Sequence, residues 1–337
     1  MKYLSIWVVL VLSVLAACSS PRNSVGLLVY REDDLFMRSL VNDIQKESDG
    51  QFSLDTRFSL NSQVIQNEQI ENLIREETQV LIINPVDRLG AYAVVKRLKM
   101  ENIPVIFFNR EPLRSDMELW DQVWYVGAKA EQSGRMQAEL AMELFGSDPD
   151  SLNEFDRNDD GRIQTVILKG EQGHQDAEIR TAMVQTAFQE AGYSIDVIAV
   201  ETANWNRNEA YETMEEILDR GVNPPELVLS NNDAMALGAI SIMRQRGLFS
   251  DTNGNGKMER TDEEWIPVLG IDGVPESVEQ IEAGYLYGTV HNDYSTMAKA
   301  IAALAESILE GRVDDDFPYE IIDGKYIWVD YKTFTLD

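Results

Sequence analysis

From residue 25 onward, short apolar runs alternate with stretches of helical spacing, and that alternation admits few folds. Residues 25–30 read as a strand, 34–47 as a helix, 52–59 as extended, 62–77 as a helix, 80–84 as a strand, 90–101 as a helix, and 104–108 and 123–126 as strands. Strands apolar along their whole length, each followed by an amphipathic helix, predict βαβ units and a parallel sheet covered on both faces. A second run of the same kind follows. It has helices at 129–145, 176–191, 206–220, 233–246 and 293–310, strands at 165–168, 195–200, 227–230, 268–270 and 287–291, and short extended pieces at 320–322 and 326–329. With 337 residues the chain is too long for one comfortable core. The expected fold class is therefore α/β, with two doubly wound parallel-sheet lobes and a last segment shared between them.

Charge excludes one class of partner. The formal net charge is -29, and no basic stripe of the kind that tracks phosphates is visible, so no nucleic acid is expected. The chain begins with Lys2, an almost wholly apolar run from Ile6 to Leu15, and then Leu15-Ala16-Ala17-Cys18. This resembles a bacterial lipoprotein signal, with residues 1–17 removed, lipid carried on Cys18 and 18–23 left as a tether. The alternative is a transmembrane anchor, for which the run is short and ends in small residues. Cys18 is the only cysteine, so no intrachain disulfide forms. The expected location is the cell envelope, lipid-anchored, periplasmic or on the outer face of the cytoplasmic membrane.

Residues 156–164, Asp-Arg-Asn-Asp-Asp-Gly-Arg-Ile-Gln, are most of an EF-hand loop. Oxygen-bearing side chains stand at positions one (Asp156), three (Asn158), five (Asp160) and nine (Gln164). Gly161 stands at the sharp turn, and Arg162 at position seven needs only its carbonyl. Position twelve is Ile167, inside a predicted strand, so the loop alone is short of the roughly six to eight oxygens that calcium takes. Either the site is dead or a distant carboxylate completes it. A second loop, residues 251–262, has Asp251, Asn253, Asn255 and Glu259 at the same places, Gly256 at six, Lys257 at seven and Asp262 at twelve. Two readings stay open for it: a second calcium site, or a solvated turn before Pro267.

In open parallel sheets ligands bind beyond the carboxyl ends of the strands. The residues there are Asp34 and Phe36, Asn109, His174, Asp176 and Arg180, Trp205, Asn232, Asp272 and Asn292. Any one Asp or Asn after a strand is more often a helix cap, and any one aromatic more often core. The set is more telling. Paired donors and acceptors suit neighbouring sugar hydroxyls, and two aromatic planes suit the faces of a pyranose.

The segments Tyr30-Arg31-Glu32-Asp33-Asp34-Leu35-Phe36-Met37, Phe107-Phe108-Asn109-Arg110-Glu111-Pro112, residues 169–180 and Asn231-Asn232-Asp233-Ala234-Met235-Ala236 resemble the periplasmic galactose/glucose-binding proteins. The likeness runs from about residue 24 to the end. It implies the type I periplasmic binding protein fold, with a three-strand hinge near residues 127, 293 and 325. One lobe would hold 24–127 plus 294–325, the other 128–293 plus 326–337. It implies that the ten strand-end residues hold the sugar, with Phe36 and Trp205 on its two faces. It also implies that Glu226 completes a structural Ca2+ site. The implied function is capture of D-glucose or D-galactose for an ABC permease, with a chemoreceptor as a further partner. A sensor for a membrane kinase would use the same site. An enzyme is disfavoured: two histidines are too few for a metal hydrolase, and acids among Arg180, His174 and Asn side chains are expected to be ionised acceptors rather than proton donors.

Overall fold

The alternation resolves into two sheets. In a computed structural model, residues 23–221, 224–260, 263–313 and 317–336 are described. The expectations for residues 1–17, Cys18 and Asp262 lie outside these.

The first sheet contains β1 (Ser24–Val29), β2 (Ser53–Phe58), β3 (Val80–Ile83), β4 (Val105–Phe108), β5 (Val123–Gly127) and β11 (Tyr326–Trp328), in the order β11-β5-β4-β3-β1-β2. The second contains β6 (Ile163–Lys169), β7 (Ile195–Thr202), β8 (Leu227–Ser230), β9 (Val268–Asp272), β10 (Gly288–His291) and β12 (Lys332–Thr335), in the order β12-β10-β9-β8-β6-β7. All pairings but β10 with β12 are parallel. The fold is α/β, two doubly wound lobes.

Helices cover both faces of each sheet. They are α1 (Leu35–Ser48), α2 (Gln63–Arg75), α3 (Ala91–Glu101), α4 (Arg114–Met117), α5 (Ala130–Phe145), α6 (Gln175–Glu190), α7 (Arg207–Asp219), α8 (Asp233–Gln245), α9 (Pro275–Glu282) and α10 (Tyr294–Leu309). In the first lobe β1, β3 and β4 send alternate side chains to two cores. Leu27, Ile82 and Ile106 pack with α1 and α10, while Leu28, Leu81 and Phe107 pack on the other side with α2 and α3. The second lobe repeats this with Val166 and Val228 on one face and Ile167 and Leu229 on the other. Strands buried on both faces are what the continuous apolar runs required.

Three crossings join the lobes: Ala128–Lys129 between β5 and α5, Asn292–Asp293 between β10 and α10, and residues 329–331 between β11 and β12. The last differs from expectation. The sequence reading put everything from 326 on in the second lobe, but Tyr326, Ile327 and Trp328 pair with Tyr125, Val126 and Gly127 of β5. The apolar Tyr326 and Ile327 bury in the first lobe's cores, so the chain crosses three residues later. Lys332 Nζ on Asp293 Oδ2 at 2.8 Å ties the second and third crossings together.

Candidate functional site

The carboxyl ends of the two sheets face each other, with a cavity between them. It is lined by Tyr30, Asp34, Phe36, Asn109 and Arg110 from the first lobe and His174, Asp176, Arg180, Trp205, Asn232 and Asp272 from the second. Nine of the ten strand-end residues singled out in the sequence are in that lining. The tenth, Asn292, stands directly behind Asp272. It is 2% exposed, its backbone N–H donates to the Asp272 carbonyl at 3.1 Å, and its side chain bonds the Asp272 carboxylate.

Helix capping and cavity lining turn out not to be alternatives. Asp34 caps α1 through Oδ1, which accepts from Met37 N at 2.9 Å, and its Oδ2 accepts from the Tyr30 hydroxyl. Asn232 caps α8 through Oδ1, bonded to Met235 N at 3.0 Å, so its Nδ2 is the group left near the cavity. His174 caps α6, its Nδ1 accepting from Asp176 N at 3.2 Å. Burial, then Arg110, Arg180 and Arg88, holds the imidazole pKa well below its ordinary value. The ring is therefore neutral, and with Nδ1 accepting, Nε2 carries the proton that it can donate.

Arg180 is 4% exposed. Its Nη1 donates to Asn231 O at 2.7 Å and its Nη2 to Tyr331 Oη at 3.0 Å, and Asp176 Oδ2 lies 3.8 Å from Nη2. Its Nε has no partner within the protein, and neither has Asn292 Oδ1. The acids differ from expectation. Burial raises the pKa of Asp176, and raises that of Asp272 well above the ordinary range. Arg180 offsets part of each shift, while Asp233 and Asp34 add to the second. Acceptors so placed gain from hydroxyl donors that stabilise the charged form.

Two aromatic planes are fixed by their surroundings. Trp205 is 8% exposed, meets His174 edge-on at 5.1 Å, and lies so close to Gly170 that a Cβ there would come within 2.2 Å of the indole. Phe36 is held edge-on by Tyr294 at 6.2 Å. Asn109, Trp205 and Asp272 all have positive φ, at 59°, 61° and 127°. Such strain in non-glycine residues collects at functional sites. Tyr30 and Arg110 were missed in the sequence. Tyr30 directly follows β1 and Arg110 stands two residues past β4, and that strand-end position was the signal available.

The loop at 156–164 closes on itself as a cation loop does. Asp160 N donates to Asp156 Oδ1 (3.3 Å) and Asn158 Oδ1 (3.0 Å), Gly161 N to Asp156 Oδ2 (2.9 Å) and Arg162 N to Asp160 Oδ1 (2.8 Å). Glu226, just before β8, arrives beside it. Its Oε1 accepts from Arg157 N at 2.7 Å and its Oε2 from Gln164 N at 3.2 Å. Glu226 is 3% exposed with its carboxyl pKa raised by burial, and Gln164 Oε1 is buried without a partner. An orphaned oxygen beside a buried carboxylate fits an oxygen-seeking cation. Among the described residues no three His, Cys, Asp or Glu side chains converge by themselves; the donor set here mixes carboxylate, amide and carbonyl.

The second loop repeats the first bond for bond. Asn255 N donates to Asp251 Oδ1 and Asn253 Oδ1, Gly256 N to Asp251 Oδ2, and Lys257 N to Asn255 Oδ1. A carboxylate also stands beside this loop. Glu263 accepts from Thr252 N and Glu259 N, the equivalents of the two N–H groups that Glu226 takes in the first loop. Asp262, the residue assigned from spacing, lies outside the described residues.

The chain belongs to a known family: the model of the periplasmic binding protein domain matches residues 25–312. It is 34% identical over 293 residues to the D-galactose/methyl-galactoside binding periplasmic protein MglB of Haemophilus influenzae, covering 86% of this chain and 82% of that one. Among solved structures, it is similar to an ABC transporter solute binding protein from Bacillus halodurans with bound myo-inositol (24% identity, TM-score 0.74, 94% and 96% of the two chains). It is likewise similar to one from Actinobacillus succinogenes with bound D-allose (19% identity, TM-score 0.75, 93% and 98%). These relatives are solute-binding proteins rather than enzymes, and so is this chain.

Proposed function

We propose that this member of the family captures D-glucose and D-galactose between its two lobes, in the cell envelope, and delivers them to an ABC permease. The observation that carries the reading is the cavity itself. Two aromatic planes from opposite lobes, a neutral imidazole, buried acids and the unpartnered Arg180 Nε and Asn292 Oδ1 make a surround for a small neutral polyol. The relationship to a galactose-binding protein supports a hexose as that polyol. On this reading Asp34, Asn109, His174, Asp176, Arg180, Asn232, Asp272 and Asn292 hold the hydroxyls, and Phe36 and Trp205 cover the ring. Ligand capture pulls the lobes together about the three crossings.

The same reading gives the chain a structural Ca2+ held by Asp156, Asn158, Asp160, the Arg162 carbonyl, Gln164 and Glu226. A second ion in the 251–263 loop would be closed by Glu263. Lipid on Cys18 would hold the protein to the membrane. Calorimetric titration with glucose, galactose, ribose, D-allose and myo-inositol, with and without a calcium chelator, tests the whole proposal. Tight binding of a hexose supports it; a polyol other than these hexoses binding best would reassign the ligand.

A further inference from the structure

Arg110 leaves β4 through a tight turn. Asn109 has φ 59°, and Arg110 N donates back to Phe108 O at 2.7 Å. The turn buries the guanidinium under the rim of the first lobe, where it is 5% exposed. There Nη1 donates to Val86 O at 2.6 Å, and Cζ sits 4.0 Å from the centre of the Tyr30 ring, whose hydroxyl donates to Asp34. Nη2 reaches the other lobe, where Glu171 Oε2, in the loop after β6, lies at 3.2 Å. Only this last contact must break when the lobes separate. Asp34 Oδ1 is committed to the cap of α1, so the Tyr30 hydroxyl sets how Oδ2 is aimed.

We propose that Arg110 is a positioning residue that ties the aim of Asp34 to closure of the cleft, with Glu171 as the contact that closure makes. With Glu171 engaged, the fork is held over Tyr30, the phenol is held on Asp34, and the remaining lone pairs of Asp34 face the cavity. With Glu171 withdrawn, the guanidinium keeps its first-lobe partners but loses its counter-charge, and the stack above Asp34 loosens. The inference rests on the sugar-binding reading.

The test compares the parent with Glu171→Gln, Tyr30→Phe and the double variant, using D-galactose and D-glucose as probes and Trp205 fluorescence in stopped flow. Losing the partner of a buried arginine acts on dissociation, and Glu171 itself is partly exposed, so Glu171→Gln should raise koff about 5- to 20-fold with kon nearly unchanged. The melting temperature should stay close to the parent's, because the contact joins two lobes that each fold on their own cores. Glu171 and Tyr30 lie on different lobes, and independent effects would multiply. A relay through Arg110 makes the double variant clearly milder than the product of the singles. Multiplicative effects, a change confined to kon, or an unchanged koff would overturn the proposal. If the parent responds to neither hexose, the sugar reading itself fails. The relay is then judged by small-angle scattering of ligand-free protein at low salt, where the parent should be more compact than Glu171→Gln and equal profiles would sink it.

Discussion

Asp233 holds Asp272 in place. Its carboxylate accepts from Gly273 N at 2.7 Å, Val274 N at 3.0 Å and Thr289 Oγ1 at 2.7 Å, gripping the backbone just beyond a residue whose φ is 127°. Gly270 makes the approach feasible, since a Cβ there would stand 2.0 Å from Asp233 Oδ1. A fully buried acid thus fixes the conformation of an acid that lines the cavity.

Holding Asp272 has a pH signature. Burial pushes the Asp233 pKa up to about 6, against an ordinary aspartate near 3.9. The folded state therefore binds this proton more tightly than the unfolded one. The resulting stability is fully present below about pH 4 and is lost as pH rises through about 6. Asp233→Asn keeps an acceptor for the two N–H groups and can donate to Thr289. Between pH 5 and 7 the parent should lose about 1 kcal/mol more than the variant in denaturant unfolding. Parallel pH curves for the two proteins would contradict this.

Trp205→Ala should weaken hexose binding by about 1–3 kcal/mol, the range found where a ring stacks on an aromatic plane. Gly170→Ala should do the same without touching the indole chemically, because the new methyl displaces it. Asp176→Ala should be as harmful or worse, since it strips a counter-charge from buried Arg180. Calorimetry reads all three, and parent-like affinity in either Trp205→Ala or Asp176→Ala would show that the cavity is not the binding site.

Calcium should stabilise the second lobe. A chelator should lower the melting temperature, as removal of any ligand of the native state does, and Glu226→Gln should reproduce much of that drop. Two ions per chain are expected by equilibrium dialysis, falling to one in Glu263→Gln. A melting curve indifferent to chelator rules out the first site, and a parent that binds one ion rules out the second.

Both hexose epimers should bind. One carboxylate, Asp34, has lone pairs for either an axial or an equatorial hydroxyl, so glucose and galactose affinities should fall within about two orders of magnitude, under about 3 kcal/mol. Pentoses lack the hydroxymethyl group and should bind more weakly, leaving polar groups unpaired. Ribose displacing both hexoses in competition would overturn the specificity while leaving a binding protein.

The strands that build the cores were legible because β3 and β4 are apolar throughout and β1 and β8 are nearly so, each with one serine at an end, and the cavity residues were legible because they follow strands. What escaped depended on contacts distant in sequence or on weak local signals. β12 is a short edge strand, Lys-Thr-Phe-Thr, whose first three residues are exposed, so no apolar run marks it. α9 has eight residues and opens with Pro275, too short for helical spacing to declare itself. Glu226 reaches a loop 62 residues earlier, which periodicity cannot see and only the resemblance suggested. Glu263 went unremarked because counting along an EF-hand stops at position twelve, and its bonds to Thr252 N and Glu259 N appear only in the folded chain. Arg110 looks like any rim arginine until Tyr30 and Glu171 are brought to either side of it.

The third crossing has a consequence for measuring this protein in motion. β1 starts at the end of its strand away from the cavity. β12, running against β10, carries the chain from His291 back to Gly288 and so finishes far from the cavity on the other lobe. The two described ends, Asn23 and Leu336, are thus mounted on opposite poles of the molecule. A donor and acceptor dye attached there would report hinge angle directly, with no label in the cleft to disturb capture. A tether at the amino-terminal end would anchor only the first lobe and leave the second as the jaw that swings.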